Sequence, residues 1–275
     1  MDMSLLEKTK SLLRSHRSLP KKAFGQNFMI EPSIYQLMVN YASLDQNDTV
    51  LDIGAGLGFL TRFVADKCRN VVAVEADPEL ATVLRRQLSH LFNVKIIEGN
   101  ILRVNIPQFN KIVSTPPYNI SSRLLLWILN QEFDCSVLVF QKEFANRLAA
   151  SVGNRNYGWL TVLTSFQAEV ELLDDVPKSM FYPPPKVDSV VTRLTPRRSR
   201  LYKLESEAAF KRIVQLLFTQ RNKKVRTAVL PYLKHVRILS KEEACKVAET
   251  LPFHDRRVRE LAPEDFGALA DVLTE

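Results

Sequence analysis

The segment Thr115-Pro116-Pro117-Tyr118 combines residue types that could carry chemistry, and it directly follows a short apolar run. Its two prolines make the loop rigid and extended, because proline fixes φ and disfavours a helical conformation in the residue before it. The Thr115 hydroxyl and the Pro116 carbonyl are then free to accept hydrogen bonds, and Tyr118 offers an aromatic face. Acceptors beside an aromatic ring suit the exocyclic amino group of a nucleobase. The alternative is an ordinary proline-rich loop, and the segment upstream decides against it.

That upstream segment is a glycine-rich turn at Gly54–Gly58 (GAGLG), between a predicted strand at 49–53 and an amphipathic helical pattern. A strand–turn–helix unit lets a ligand approach bare backbone and meet the N–H groups that begin the helix. The next predicted strand ends in Glu75, a position where a carboxylate commonly binds a ribose diol. The glycine spacing departs from the dinucleotide fingerprint, because the third glycine follows the second by two residues. This favours a single nucleoside-type cofactor, S-adenosylmethionine, over NAD.

Taken in order, these and further motifs resemble the small-subunit ribosomal RNA adenine N6,N6-dimethyltransferases, from about Lys21 to the C-terminus. The matching segments are Phe24–Met29 (FGQNFM), the glycine turn, Glu75, Thr115–Tyr118 with Asn119-Ile120-Ser121, Gln141-Lys142-Glu143 with Arg147-Leu148, Phe181–Ser189 (FYPPPKVDS), Phe218–Arg226 (FTQRNKKVR) and Arg259-Glu260-Leu261. The resemblance implies dimethylation of two adjacent adenosines near the 3′ end of the small-subunit rRNA, with S-adenosylmethionine as the methyl donor.

The resemblance also implies roles for individual residues. The implied catalytic residues are Thr115, Pro116, Tyr118 and Phe181, the two aromatic rings stacking on an adenine turned out of its helix. The implied cofactor-binding residues are Gln26, Asn27, Met29, Gly54, Gly56, Glu75, Asn100 and Thr115. A strong general base is not required, because the donor is activated and catalysis then depends mainly on positioning. For Met29 and Phe181, a purely apolar core role stays open.

Two positions depart from the family pattern. Thr115 stands where the family usually has asparagine, and Asn100 stands where it usually has aspartate. Thr115 keeps a hydroxyl acceptor, whereas Asn100 keeps a carbonyl acceptor but has no charge. Other functions therefore stay open: a non-catalytic RNA-binding factor of small-subunit assembly, or an amino-methyltransferase that acts on DNA. The glycine spacing and the lack of a proton-relay residue argue against a third alternative, a nicotinamide-dependent oxidoreductase.

Composition suits a cytoplasmic protein with a polyanionic partner. The formal net charge is +8 and the isoelectric point is near 9.4, although charge alone does not distinguish RNA, DNA and membrane. The sequence has no secretory apolar core and no long apolar span, so we expect no membrane partner. Cys68, Cys135 and Cys245 lie far apart, and the histidines are equally scattered. We therefore expect reduced thiols and no metal site.

Alternating apolar runs and helical patterns predict an α/β fold, a Rossmann-like class I S-adenosylmethionine-dependent methyltransferase with a small all-helical C-terminal domain. The predicted strands are 49–53, 71–75, 94–98, 111–114 and 136–140, with further runs at 162–163, 170–173 and 187–194 completing the sheet. At 275 residues, the chain can hold one large domain and a small one. We predict a basic N-terminal arm (1–22), a catalytic domain (23–196) and a helical RNA-binding domain (197–275).

Basic residues gather around the start of the predicted helical domain, with few acidic residues between them in the sequence. The residues expected to bind RNA are Arg197, Arg198, Arg221, Lys223, Lys224 and Arg226, with Arg193, Arg200, Lys203, Lys211 and Arg212 close by. A second basic group predicts a mobile RNA-gripping arm and comprises Lys8, Lys10, Arg14, Arg17, Lys21 and Lys22. Phosphate contacts of this kind position RNA without reading its sequence, and a solvated helix face is the alternative. The expected partner is the rRNA of a pre-assembled small ribosomal subunit, bound by a monomer.

Overall fold

The computed structural model describes residues 3–16, 19–198 and 204–274, in which strands and helices alternate from β1 to β4 and again from β5 to β6. The strands are β1 (Phe28–Met29), β2 (Thr49–Ile53), β3 (Asn70–Glu75), β4 (Val94–Glu98), β5 (Lys111–Ser114), β6 (Cys135–Gln141), β7 (Ala168–Val176), β8 (Phe181–Tyr182) and β9 (Ser189–Pro196). The helices are α1 (Leu5–Ser15), α2 (Pro32–Tyr41), α3 (Phe59–Ala65), α4 (Pro78–Gln87), α5 (Ser121–Ile128), α6 (Lys142–Leu148), α7 (Trp159–Gln167), α8 (Glu207–Phe218), α9 (Val225–Ala228), α10 (Leu230–His235), α11 (Lys241–Thr250) and α12 (Pro263–Thr274). Short 3₁₀ turns span Lys22–Phe24, Tyr118–Ile120, Lys178–Met180 and Val258–Glu260.

A mixed seven-stranded sheet has the strand order β4-β3-β2-β5-β6-β9-β7. The pairs from β4 across to β6 are parallel, whereas β9 runs antiparallel to β6. The chain moves outward from β2 to β4 and then returns to the other side of β2 at β5, so the strand order reverses there. Sheets of this type bind ligands at the carboxyl ends of the strands beside such a reversal. The glycine turn after β2 and the Pro-Pro-Tyr loop after β5 both lie at that edge.

The central strands are buried, which fixes the positions of the loops that follow them. The β6 residues Val137, Leu138, Val139 and Phe140 are inaccessible to solvent, and Val50 and Leu51 of β2 are equally buried. Continuous apolar burial is typical of parallel strands covered on both faces. Loops at the carboxyl ends of these strands therefore begin from a rigid base.

The chain folds into two compact units. The first comprises Met1–Ala145 and Val170–Pro196 and contains most of the sheet, and the second comprises Asn146–Glu169 and Arg197–Glu275 and contains helices α7 to α12. Asn146–Glu169 thus groups with the helices, although we predicted it within the catalytic domain. The strand predicted at 162–163 is wrong, because these residues lie in α7. A short apolar run does not distinguish a strand from a buried helix.

The N-terminal segment is a docked helix, so the prediction of a mobile arm over 1–22 is corrected for residues 5–15. α1 begins at a capping box, in which the Ser4 hydroxyl accepts a hydrogen bond from the Glu7 N–H at 3.2 Å and the Glu7 carboxylate accepts one from the Ser4 N–H at 2.9 Å. Leu13 is buried in an apolar cluster with Phe28 and Leu57. An amphipathic helix that buries such a side chain is held by packing. Residues 1, 2, 17 and 18 of the predicted arm, including Arg17, lie outside the described ranges.

Candidate active site

The glycine turn and the Pro-Pro-Tyr loop line one cleft of the first unit. The predicted site residues in its lining are Gln26, Asn27, Met29, Gly54, Gly56, Thr115, Pro116, Tyr118 and Phe181. The cleft has a volume of about 670 Å³, its open mouth included. Glu75 and Asn100 are not in the lining. Glu75 is the last residue of β3 and Asn100 lies just after β4, and these parallel strands end at the same edge of the sheet.

Three segments distant in sequence approach each other closely here. Gly54 has a φ of 73°, and a Cβ atom at this position would lie 2.9 Å from the Cδ of Pro117. Only glycine therefore fits where the two loops meet. The Asn119 side chain also donates a hydrogen bond to the Ala23 carbonyl at 3.1 Å. This bond joins the N-terminal segment that carries Gln26 to the loop that carries Thr115.

Glu75 supports the glycine turn from behind. One carboxylate oxygen accepts a hydrogen bond from the Gly56 N–H and the other accepts one from the Asp77 N–H, both at 2.8 Å. Glu75 is only 6% exposed, and burial raises its pKa above the usual value. The Glu75 side chain thus connects the glycine turn to Asp77, the residue just before α4. The Ala76 N–H also interacts with this carboxylate, and since a carboxylate has about four acceptor positions, at least one lone pair of Glu75 could accept a further hydrogen bond.

Gln26, a predicted cofactor contact, is fixed by Asp77, the residue that caps the N-terminus of α4. Its side-chain amide donates to Asp77 at 2.8 Å, and its carbonyl oxygen accepts from the Lys21 N–H at 2.7 Å. The Asp77 side chain is fully buried and also accepts from Lys21 Nζ at 3.1 Å. This network holds the Phe24–Met29 segment against the edge of the sheet.

Asp52 is a cleft residue that our sequence predictions omitted. It lies near the end of β2, lines the cleft and is 1% exposed. Thr61 donates a hydrogen bond to its Oδ2 at 2.6 Å, while its Oδ1 accepts none from the described residues. Burial raises the pKa of Asp52 to about 7. The signal in the sequence was a carboxylate inside an apolar strand, which is costly unless it has a partner.

Tyr118 and Phe181 meet at an angle, with ring centroids 6.3 Å apart and planes inclined by 71°. Phe181 is 3% exposed and pairs with Met29 across the short β1–β8 ladder. Phe181 belongs to a buried apolar cluster, the partly buried Tyr118 packs against that cluster, and both residues line the cleft. The burial of Phe181 is the property that a core role predicts, and its stacking role stays a prediction.

Asn100 begins a local turn at the surface. Its side-chain oxygen accepts a hydrogen bond from the Leu102 N–H at 3.0 Å, and the preceding Gly99 N–H donates to the Glu75 carbonyl at 2.7 Å. Asn100 therefore lies beside the strand end of Glu75, with its acceptor used locally. Its predicted contact with the adenine of a cofactor stays a prediction.

The predicted RNA-binding residues lie in the second unit, and several have partners there. Arg197 bonds to the Ser165 carbonyl and pairs with Glu169, and Arg221 donates to the carbonyls of Asn154 and Arg155. Lys224 and Arg226 both pair with Asp255, at 2.8 and 3.3 Å. Few acidic residues lie near these basic residues in the sequence, but the fold brings Glu169 and Asp255 beside them. Arg198 and Lys223 are exposed, whereas Arg200 and Lys203 fall outside the described residues.

A second basic segment lies beside these residues and was missed from the sequence. The segments 221–226 and 254–259 run side by side, since Val225 N–H donates to the Arg256 carbonyl at 2.9 Å and Arg259 N–H donates to the Arg221 carbonyl at 3.1 Å. Together they form a basic face, which we define as Arg221, Lys223, Lys224, Arg226, Arg256, Arg257 and Arg259. Because about 30 residues separate the two segments, only the fold could reveal their proximity.

The described residues contain neither a candidate metal site nor a candidate membrane-spanning helix. Across residues 3–16, 19–198 and 204–274, histidine, cysteine, aspartate and glutamate side chains form no group of three or more that could hold a metal ion. Among the helices of the same ranges, none is both long and apolar enough to span a membrane.

Comparison with sequence families and relatives gives consistent matches over nearly the whole chain. Residues 17–264 match the model of the ribosomal RNA adenine dimethylase family. A relative from Methanosarcina acetivorans, described as a probable ribosomal RNA small subunit methyltransferase A, is 38% identical over 91% of this chain and 92% of its own length. A relative of the same description from Thermococcus kodakarensis is also 38% identical and covers 96% of this chain and 93% of its own.

Two solved structures resemble the fold. A dimethyladenosine transferase from Plasmodium falciparum superposes with a TM-score of 0.76 at 28% identity, covering 88% of this chain and 95% of that one. The 23S rRNA methyltransferase ErmE gives a TM-score of 0.65 at 31% identity, covering 90% of this chain and all of that one. These likenesses confirm the predicted Rossmann-like fold with a helical C-terminal part.

Proposed function

Since this chain belongs to the ribosomal RNA adenine dimethylase family, we propose that it transfers methyl groups from S-adenosylmethionine to N6 of two adjacent adenosines near the 3′ end of small-subunit rRNA. The description of both relatives as probable ribosomal RNA small subunit methyltransferases supports this choice of RNA. We further propose that it acts as a cytoplasmic monomer, during ribosome biogenesis, on the rRNA of a pre-assembled small subunit.

The observation that carries this proposal is the cleft in which the glycine turn meets the Thr115–Tyr118 loop. The residues fit the cofactor: Asp52 has an oxygen available for a cationic group, the glycine turn leaves bare backbone, and Glu75 keeps at least one unused lone pair. When bound, S-adenosylmethionine supplies an electrophilic methyl group. The residues that would hold it are Asp52, together with the predicted residues Gln26, Asn27, Met29, Gly54, Gly56, Glu75, Asn100 and Thr115.

The loop after β5 would act on the adenine amino group. The N6 lone pair is conjugated with the ring, so the nitrogen is a weak nucleophile. Hydrogen bonds from the amino group to the Thr115 hydroxyl and the Pro116 carbonyl would favour a pyramidal nitrogen. The Thr115 hydroxyl is available, because it lines the cleft and makes no hydrogen bond to another described residue. Tyr118 would stack on the base and hold it in line for transfer, and we propose that Phe181 closes the other face.

The direct test supplies labelled S-adenosylmethionine and undermethylated small subunits, followed by mapping of the modified nucleosides. We expect dimethyladenosine at two adjacent positions near the 3′ end. Label in large-subunit rRNA or in DNA instead would contradict the proposed substrate. Tight RNA and cofactor binding without any methyl transfer would favour a non-catalytic assembly factor.

Cofactor binding should depend on pH through Asp52. Because burial raises the pKa of Asp52 to about 7, its carboxyl group is largely protonated below pH 7 in the free protein and becomes an anion above it. A cationic ligand prefers the anion, so S-adenosylmethionine should bind more tightly as pH rises from about 6 to 8, with loss of a proton on binding below pH 7. Calorimetry in buffers of different ionisation enthalpy measures both quantities.

Asp52→Asn provides the control for this pH dependence, since it keeps the shape but does not titrate. We expect its affinity to be low and nearly constant over the same pH interval. An unchanged pH profile in Asp52→Asn would mean that a different group titrates, and a flat profile in the parent would mean that Asp52 is already ionised.

We propose that the basic face binds rRNA phosphates. Replacing Lys223 and Lys224 together with glutamine should lower the log–log salt slope of RNA binding by about one to two, since each phosphate contact contributes about 0.7–0.9. Arg221 is not replaced, because its guanidinium donates hydrogen bonds to the carbonyl oxygens of Asn154 and Arg155 and its loss could disturb the fold. Filter binding or fluorescence titration across salt concentrations gives the slope.

The matched control replaces Lys241 and Lys246, two exposed lysines of α11, which should leave the slope unchanged. S-adenosylmethionine affinity should stay the same in both double variants. An equal loss of slope in the two would mean that net charge, rather than the basic face, governs RNA binding.

A further inference from the structure

Tyr118 is one of the aromatic residues that line the cleft, and it carries the ring proposed to stack on the target base. This residue begins a short 3₁₀ turn after Pro117 and is only partly buried. Its hydroxyl shares a hydrogen bond of 2.7 Å with the Ser189 hydroxyl. A hydrogen bond at the hydroxyl fixes the far end of the ring and so restrains rotation about the Cα–Cβ bond. The hydroxyl oxygen lies on the axis of the Cβ–Cγ bond, and rotation about that axis is limited by the Phe181 ring, whose centroid lies 6.3 Å away. Burial raises the pKa of Tyr118 to about 12, which keeps the hydroxyl protonated at neutral pH.

Ser189 is a rigid anchor for that bond. It is the first residue of β9, is inaccessible to solvent, and lies opposite Gln141 in the antiparallel ladder with β6. Directly before it, the Asp188 carbonyl accepts a hydrogen bond from the Lys142 N–H at 3.0 Å. The position of the serine oxygen is thus set by the central sheet rather than by a loop.

The neighbouring Asp188 forms a hydrogen bond with the segment that precedes Phe181. Its carboxylate accepts a hydrogen bond from the Lys178 N–H at 2.9 Å, at the start of the 3₁₀ turn that precedes Phe181. At the end of that turn, the Met180 carbonyl accepts from the Ile30 N–H, also at 2.9 Å. Two consecutive residues therefore contact Tyr118 and the segment that leads to Phe181, the two rings proposed to stack on the base.

Resting on the proposed methyl transfer to adenine, we propose that Ser189 is a positioning residue that holds the Tyr118 ring in the orientation required for stacking on the target base. Asp188 assists by fixing the segment that carries Phe181. Ser189 itself does not touch the substrate. Its contribution is made through Tyr118, so it affects the rate of transfer at saturation and leaves cofactor binding unchanged.

A double-mutant cycle tests this role, because Ser189→Ala and Tyr118→Phe each delete one side of the same hydrogen bond. Each variant should lower the single-turnover rate at saturating RNA and cofactor by about tenfold, the usual scale of one positioning hydrogen bond. The double variant should be no slower than the slower single variant. Ser189→Thr, which keeps the hydroxyl, should recover most of the rate, and the dissociation constant for S-adenosylmethionine should stay within about twofold throughout.

Thr192→Val is the matched control, since Thr192 lies on the same strand and its buried hydroxyl has no hydrogen-bond partner among the described residues. It should transfer methyl groups at the parent rate, whereas an equal loss in this variant would assign the effect to general damage of β9 and overturn the proposal. Parent-like rates in Ser189→Ala, or effects that multiply in the double variant, would overturn it as well. An inactive parent would remove the proposed function and the positioning role together, and so differs from failure of the inference alone.

Discussion

Replacing Glu75 with alanine is expected to weaken S-adenosylmethionine binding about a hundredfold, or about 2.7 kcal/mol. Two effects add in this variant. The proposed acceptor for the ribose hydroxyls is lost, and the N–H groups of Gly56 and Asp77 lose the carboxylate that connects them. The glycine turn is then free to leave the conformation that the cofactor requires. Isothermal titration calorimetry on the folded variant measures the change.

Glu98→Ala is the matched control, because Glu98 ends the neighbouring strand opposite Glu75 and is exposed. It should bind the cofactor like the parent. Glu75→Gln should lie between the two, since it keeps one acceptor. We expect Glu75→Gln to fold. Burial raises the pKa of Glu75, so the ionised carboxylate lowers the free energy of unfolding once the pH rises above the ordinary pKa of a glutamate. The neutral amide of glutamine avoids that cost. A dissociation constant in Glu75→Ala within about threefold of the parent would place the ribose elsewhere.

The positions of several strands were predictable because these strands are short runs rich in apolar residues. The runs at 49–53, 94–98 and 111–114 coincide with β2, β4 and β5, and each has a turn signal after it. The motifs themselves do not give the order of the strands in the sheet. Only their resemblance to a known family implies that order. The prediction of a strand at 162–163 was wrong because an apolar run of two residues has no measurable period, and a helix and a strand then look alike in the sequence.

Residues that line the cleft were predictable where their type has a conformational reason. Gly54 and the prolines are such residues, since the close approach of Gly54 to Pro117 requires a glycine and a rigid loop. Asp52 was missed because its importance arises from burial at the cleft, which one sequence does not display. The partner of Lys224 was missed for a similar reason, as Asp255 lies 31 positions away and only the fold brings it within 2.8 Å.

Thr115→Val is expected to slow methyl transfer by about 10- to 100-fold, the equivalent of about 1.4–2.7 kcal/mol of transition-state stabilisation. Valine is nearly isosteric with threonine but has no acceptor for the adenine amino group. A hydrogen bond made mainly in the transition state affects the rate more than substrate binding. Tyr118 is unchanged, so stacking of the base and RNA affinity should persist. The measurement is single-turnover formation of mono- and dimethyladenosine on undermethylated small subunits.

Two further variants at this position distinguish the hydroxyl from the backbone. Thr115→Ser keeps the hydroxyl and should retain most of the rate, and Thr115→Asn restores the residue usual in the family and should keep or raise it unless Pro116 prevents the amide from reaching the base. Ser114 anchors the start of the loop, since its buried hydroxyl donates to the Ile53 carbonyl at 2.6 Å, so these changes should leave the backbone in place. A parent rate in Thr115→Val would mean that the Pro116 carbonyl suffices and that Thr115 is only a spacer. If no version formed product with RNA and cofactor both bound, the departure from asparagine would mark a protein that binds rRNA without methylating it.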